Sequence, residues 1–411
     1  MAIQEISYLR NRSYLATAAS HLSIDVLNNG RILLVAILAV SLGLSNAQVG
    51  FFLLLYNVGA SVAQPLFGWL ADRFGARWLV MGGLAWTSFF YVLAALIPEW
   101  PALYALTIAS LGSGAFHPGG TKIASQTSQS RRTQATAFFF MSGQIGLFLG
   151  PILAGVLMDG FGRRGYLALP FLGLLVLLMG WRWLSDDVRH RRDVRHRRDV
   201  RHGHDARHWQ QERAQAPPKD GPKLQRLLPA LVIIALAYST VSFSTQNFAP
   251  KLFAESGFSA TYIGWIAGMF MMGSAVGGVV GGSIADRTGG KPVIFMAMLA
   301  AVLPLYFYIP AGAVWRFPIL LLAGFFGGMP HSIVVLQIQA LLPDRRALAS
   351  GLALGFMFLS GAVGSYALGV VADRVGLANA LQWSAFLMLA AAAAALWLPA
   401  RRVTTVLAAA D

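Results

Sequence analysis

The sequence predicts an all-α membrane protein: twelve transmembrane helices in two pseudosymmetric six-helix bundles, each an inverted 3+3 repeat. Three observations carry this prediction: long apolar stretches, one-sided basic loops, and fixed internal offsets. Of 411 residues, 56% are hydrophobic and 12% charged, where a soluble domain carries about a quarter charged. So little charge cannot cover a water-facing surface, and most of the exterior must face lipid.

A helix crossing the hydrocarbon core needs about 20 mostly apolar residues. Such stretches fall at 14–42, 47–70, 78–97, 101–125, 133–158, 166–184, 227–253, 260–285, 292–310, 317–342, 347–371 and 378–399, numbered here as spans 1 to 12. The first has a polar centre and no small-residue cleavage site, so it reads as a retained helix rather than a signal. The chain has no cysteine, which excludes disulfides and thiol chemistry. The expected units are residues 1–184, a linker at 185–225, and residues 226–411.

Lys and Arg are distributed unevenly between the two faces. One receives Arg10, Arg12, Arg73, Arg77, Arg287, Lys291 and others, including thirteen from Arg182 to Arg226. The opposite face receives only Arg163, Arg164, Lys251, Arg316 and Arg374. The positive-inside rule then places both termini and the central loop in the cytoplasm. The net charge of +15 is topological, so no nucleic-acid partner is expected.

Internal repeats support the bundle count. Gly68-Trp-Leu-Ala-Asp72-Arg73-Phe-Gly75-Ala-Arg77 matches Gly282-Ser-Ile-Ala-Asp286-Arg287-Thr-Gly289-Gly-Lys291, every position 214 apart. The same offset links Gly50 to Gly264, Gly114 to Gly328, His117 to His331 and Gly150 to Gly364. Within each half, Gly68, Asp72 and Gly75 recur 87 residues on as Gly155, Asp159 and Gly162; Gly282, Asp286 and Gly289 recur as Gly369, Asp373 and Gly376. Three helices per unit is odd, so successive units enter the membrane from opposite sides, and a binding site is expected at the midplane between the halves.

The loop at 68–77 resembles the motif between helices 2 and 3 of the major facilitator superfamily. His21-Leu-Ser-Ile-Asp25, Gln64-Pro65-Leu-Phe-Gly68, Gly112-Ser-Gly-Ala-Phe-His117-Pro118 and the stretch from Pro330-His331 to Pro343 resemble its fosmidomycin-resistance efflux subfamily. The resemblance implies a bacterial inner-membrane transporter, working as a monomer on a small molecule, without a cofactor and driven by the proton gradient. It also implies that Asp72, Arg73, Arg77, Asp286, Arg287 and Lys291 are gate elements. Loop rigidity and topology account for Arg77 and Lys291 equally well.

The linker carries a decaying hexad, Asp187-Val-Arg-His-Arg-Arg192, then Asp193 to Arg198, Asp199 to His202, and Asp205 to His208. Its histidines make it metal-capable, but a solvated segment near anionic headgroups explains the composition as well.

Of 17 acidic residues, Asp25 alone falls at the middle of a span. An acid there costs about 2.5–3.5 kcal/mol on insertion. At 100° per residue, His21, Asn28 and Asn29 lie within about 60° of it and Arg31 about 120° away. This polar half either lines a watery cavity or ties span 1 to its neighbours. Arg31 is a permanent cation, suited to a carboxylate, phosphate or phosphonate. The equivalent position in span 7 is Thr245, with Tyr238, Ser242, Gln246 and Asn247 nearby. Asn57 and Gln144 complete the polar candidates for substrate contact.

His117 and His331 each neighbour a proline, Pro118 or Pro330, among glycines. Each is either a proton carrier or a plug for a carbonyl that the break exposes. Proton coupling is assigned to Asp25 with His21, His117 and His331. Gly146-Leu-Phe-Leu-Gly150-Pro151-Ile-Leu-Ala-Gly155 resembles the antiporter motif of proton-driven exporters, or is simple close packing. The span-4 arginine of those exporters is replaced by Ile108.

The reading is a proton-coupled exporter of a small organic anion such as a fosmidomycin-like phosphonate. The alternatives are uptake by symport and a non-transporting sensor signalling through the linker. No nucleophile–base constellation or metal-ligand spacing suggests an enzyme.

Overall fold

A computed structural model describes residues 7–97, 99–128, 132–184, 224–341 and 346–399. The His–Arg hexads of the predicted linker lie outside the described residues. Among those described, ten stretches are long and apolar enough to cross a membrane by length and composition. One of them, Gln134–Trp183, contains two helices, Arg132–Phe161 and Ala168–Trp183, separated by a 3-10 segment, Gly162–Leu167. These are spans 5 and 6. Span 4 is Glu99–Gln126, whose Gly112, Gly114, His117, Gly119, Gly120 and Lys122 lower its hydropathy. The twelve spans are therefore all helical, with ends shifted by a few residues.

Three spans are each built from two helices: span 2 from Asn46–Val62 and Gln64–Phe74, span 10 from Arg316–Gly328 and Pro330–Leu341, and span 12 from Leu377–Ser384 and Leu387–Ala395. Span 4 runs unbroken through Pro118, whereas span 10 divides at Pro330. The two histidines thus sit in different local backbones: His117 within a helix, His331 at the start of one.

The repeat glycines have a conformational reason. Gly75, Gly162, Gly289 and Gly376 all have positive φ, at 102°, 63°, 89° and 87°. A Cβ would be strained there, so the motif ends its helix with the residue that tolerates an abrupt reversal.

Span pairs respect the 214-residue repeat. Span 1 (Arg12–Ser41) packs on span 5, as span 7 (Leu224–Glu255) packs on span 11 (Arg346–Val375). Span 3 (Ala76–Leu96) packs on span 4, as span 9 (Gly290–Phe307) packs on span 10. The bundles meet through spans 5 and 8 (Ala260–Thr288), through spans 2 and 11, and through spans 1 and 7. Helix alternation places the ends at Arg12, Trp183, Leu224 and Ala395 on one side, called here the linker face; the other is the far face. Exposed Phe161, Leu178, Val279 and Leu303 belong to the apolar outer surface, which needs lipid to cover it.

Glycine brings the bundles close. A Cβ on Gly264 would meet the Pro151 carbonyl oxygen at 2.2 Å, and one on Gly155 the Ala260 carbonyl oxygen at 2.3 Å. A Cβ on Gly82 meets nothing within 4 Å. Gly264→Ala should therefore lower the thermal midpoint of the purified protein, by an overpacking cost of about 1–3 kcal/mol. Gly82→Ala, inside a helix with room for the Cβ, should hold or raise it; equal midpoints for the two variants would contradict this packing.

Candidate functional site

Asp25 stands near the middle of span 1 and is 6% exposed. One helical turn back, His21 places Nε2 at 3.2 Å from Asp25 Oδ2. From span 4, His117 places Nε2 at 3.6 Å from Asp25 Oδ1. Neither ring is free to turn. His21 Nδ1–H donates to the Phe139 carbonyl at 2.7 Å, and His117 Nδ1–H donates to the Ser113 carbonyl at 2.8 Å. With Nδ1 committed as a donor, the neutral tautomer turns the Nε2 lone pair toward the carboxylate. Two lone pairs facing one anion repel, so a proton or another cation must stand between them.

Span 5 reaches this cluster because it carries glycine where it touches. A Cβ on Gly143 would lie 2.5–2.6 Å from His21 and Asp25 atoms, and one on Gly146 would meet the Leu22 carbonyl oxygen at 2.5 Å. Gly150 approaches the Val26 carbonyl in the same way, and Gly155 approaches span 8. The antiporter-like stretch therefore seats span 5 against span 1 and against the other bundle.

A polar chain leads away from Asp25. Asn28 Nδ2 donates to Asp25 Oδ1 at 2.9 Å and to Ser113 Oγ at 3.0 Å. The Tyr56 hydroxyl donates to Asn28 Oδ1 at 2.6 Å and lies 3.2 Å from the Tyr91 hydroxyl. The Arg31 guanidinium stacks on the Tyr56 ring, 3.6 Å from its centroid. Arg31 is 6% exposed, and its buried Nε has no hydrogen-bond partner among the described residues. It borders a cavity of about 10 Å³ with Phe52, Tyr56, Leu103 and Thr107, room for about one water. Arg31 thus points between spans 1, 2 and 4, inside its own bundle.

The other candidates distribute unevenly. Asn29 donates to the Leu147 carbonyl at 2.5 Å and accepts from Gln246 at 2.7 Å, a tie between the bundles. Asn247 donates to Ser365 Oγ, and Asn57 to the Leu53 carbonyl. Gln144 is exposed and Tyr238 buried. His331 does not join the Asp25 cluster; it lies by Tyr238, ring centroids 6.2 Å apart. The repeat explains this: the positions equivalent to His21 and Asp25 are Ala235 and Ser239, so His331 has no carboxylate to meet.

The linker-face residues make local contacts. Asp72 accepts from Lys122 of span 4 at 2.9 Å, beside a cleft of about 380 Å³. Arg73 lies over Trp69. Arg77 donates to the Trp181 carbonyl and Lys291 to the Leu396 carbonyl. Asp286 and Arg287 are exposed. Capping across the bundles is done instead by the 87-residue echoes of Asp72 and Asp286. Ala260 and Thr261, opening span 8, donate backbone N–H groups to Asp159 at 2.8 and 2.7 Å. Asn46 and Ala47, opening span 2, donate to Asp373 at 2.7 and 2.9 Å. Donors and acceptors of the two clasps are each 214 apart. Lys251, 2% exposed, adds a bond to Asn46 Oδ1 at 2.7 Å and a close ion pair with Glu255. The clasps stand at the far ends of their helices, and sequence reasoning missed their role although the repeat had singled them out.

Comparison with known proteins agrees with this architecture. The sequence model of the family described as Major Facilitator Superfamily matches residues 16–353 and 230–410. The fosmidomycin resistance protein of Escherichia coli is 26% identical over 382 residues, covering 91% of this chain and 89% of that protein. An uncharacterized MFS-type transporter of Bacillus subtilis, YfnC, is 26% identical over 85% of this chain and 84% of its own. In structure, the chain is similar to the nucleoside transporter NupG (TM-score 0.69, 13% identity, 93% of this chain and 98% of that one). It is also similar to a bacterial homolog of the human lysosomal transporter Spinster (TM-score 0.71, 14% identity, 96% and 97%).

The clasps yield a measurable expectation. Replacing a capping carboxylate by Ala costs about 0.5–2 kcal/mol, so Asp159→Ala with Asp373→Ala should depopulate the far-side-closed state. The cysteine-free background allows spin labels at Trp69→Cys and Ile284→Cys on the linker face. The double variant should move the label distances toward shorter values; an unchanged distribution would show that the clasps do not hold the bundles.

Proposed function

Because the chain belongs to the major facilitator superfamily, we propose that it carries a small organic anion across the membrane by alternating access, as a proton-driven exporter. The observation that carries the reading is the continuous polar chain from His21, His117 and Asp25 through Asn28 and Tyr56 to Arg31. At one end is a buried carboxylate between two imidazoles, a group able to take and release a proton. At the other is a buried guanidinium with no counter-anion among the described residues, suited to a carboxylate or phosphonate head. Opening the small cavity beside Arg31 would admit such a head. The fosmidomycin resistance protein supports efflux of a phosphonate-like molecule by relationship.

The far-side clasps fit a carrier waiting with its linker face accessible, which the positive-inside count makes the cytoplasmic side. Export then runs by exchange: the bundles rock with either the proton or the anion aboard. Asp72, Asp286 and their basic neighbours would meet the opposite bundle when the linker face closes, trading places with Asp159 and Asp373.

Uptake is the second reading, and one observation favours it. A proton on the Asp25 cluster adds positive charge two hydrogen bonds and one ring contact from Arg31, which attracts an anion rather than competing with it. A relative named as the 3-(3-hydroxy-phenyl)propionate transporter of Escherichia coli, 25% identical over 71% of this chain and 68% of its own, carries a carboxylate by its name.

Liposomes holding the purified protein, with a proton gradient of either sign and fosmidomycin as probe, separate the two: exchange against protons supports export, and co-movement supports uptake. Asp25→Asn should keep the thermal midpoint and lose gradient-driven flux to the level of empty liposomes; retained flux would refute the proton role. Arg31→Ala should weaken binding of the anionic probe by about tenfold or more, the value of a charge-assisted hydrogen bond. Equal loss for a neutral probe would count against an anion site.

A further inference from the structure

The His21–Asp25–His117 cluster has a property that proton carriage does not require. Its three ligand-bearing groups, two imidazole Nε2 atoms and a carboxylate, lie within 4.8 Å of one another. Tetrahedral Zn²⁺ with bonds of about 2.0–2.2 Å holds its ligand atoms about 3.4 Å apart. The two His–Asp separations, 3.2 Å to Oδ2 and 3.6 Å to Oδ1, bracket that value but run to different oxygens, so ligation through one oxygen needs the carboxylate to rotate as well as the His–His separation to contract.

The surroundings match metal ligation as well. A metal-binding histidine donates its other ring nitrogen to a backbone carbonyl or carboxylate, which fixes the tautomer and aims the lone pair. Both histidines do so, to Phe139 and Ser113. Asp25 is steadied by Asn28. Gly143 leaves the volume beside His21 and Asp25 clear of a side chain. His117 is 27% exposed while His21 and Asp25 are buried, so the protein leaves the cluster uncovered on the His117 side. Three protein ligands and one open position is the coordination that catalytic zinc sites use, closed structural sites having four.

We propose that His21, Asp25 and His117 form a binding site for a divalent transition-metal ion of the Zn²⁺ class, three-coordinate from the protein, with water in the fourth position. Two imidazoles select against Mg²⁺ and Ca²⁺, which favour oxygen ligands. The bound ion satisfies the same electrostatic demand as a proton, so it holds the carrier against turnover. The inference uses the residues of the proposed proton site but stands on ligand geometry, and the two fail separately.

The test uses the full chain with the linker histidines His190, His196, His202, His204 and His208 replaced by Ser, so that they do not compete for metal. Titration with Co²⁺ alone should give one saturable equivalent with the visible bands of four-coordinate Co²⁺, displaced by Zn²⁺ and not by Mg²⁺. Asp25→Asn and His117→Gln should each lose the equivalent. His117→Cys should keep it and add a sulfur-to-cobalt charge-transfer band, unambiguous because the chain has no other cysteine. Co²⁺ binding that survives His117→Gln, or a His117→Cys variant that folds but shows no such band, overturns the site. If metal binding fails while Asp25→Asn still abolishes gradient-driven flux, the metal site alone falls. If metal binds and Asp25→Asn transports normally, the proton role alone falls.

Discussion

A carboxylate at the middle of a membrane helix has to be neutralised, hydrated or paired, because the hydrocarbon offers it nothing. Asp25 meets that demand with two imidazoles and an amide, and much of the first bundle is arranged around the need. Span 5 gives up side chains at Gly143, Gly146 and Gly150 to lie against span 1. Span 4 stays helical through Pro118, and His117 bonds the Ser113 carbonyl. His117 Nδ1 serves the Ser113 carbonyl, not the Gly114 carbonyl that Pro118 leaves without its helical donor, while Nε2 faces the acid.

The second bundle shows what the same scaffold looks like without that demand. Ser239 and Ala235 replace the acid and its helical neighbour, span 10 breaks at Pro330, and His331 rests beside an aromatic ring. The shared backbone plan is kept, down to the positive-φ glycines closing four helices, while the polar chemistry is concentrated in one half. Arg31 has Thr245 as its repeat counterpart, and the asymmetry extends to the whole Asp25 cluster.

The fold was legible because it depends on local quantities: apolar length and a repeat that survives in glycines and aspartates. Asp25 stood out as the one acid in mid-span, and His21 followed from its helical spacing. What the sequence did not show were the choices made by packing. His117 and His331 look alike as residues, and only the partner span decides which one meets a carboxylate. Arg31 was placed on the polar half of span 1, yet it turns inward onto Tyr56. Asn29 and Gln246 looked like substrate contacts and instead bond each other across the bundles. Asp159 and Asp373 were visible as echoes of the loop motif, but which helix start each would cap depends on how two bundles meet.

The reciprocal form of the clasps has a thermodynamic consequence. Each half supplies one carboxylate and one helix start, so the contact is bivalent. Once the first pair engages, the second closes as an intramolecular event at high effective concentration. Two clasps of two hydrogen bonds each are then expected to let go together. The 214-residue repeat thus supplies both halves of a two-point latch from a single structural plan.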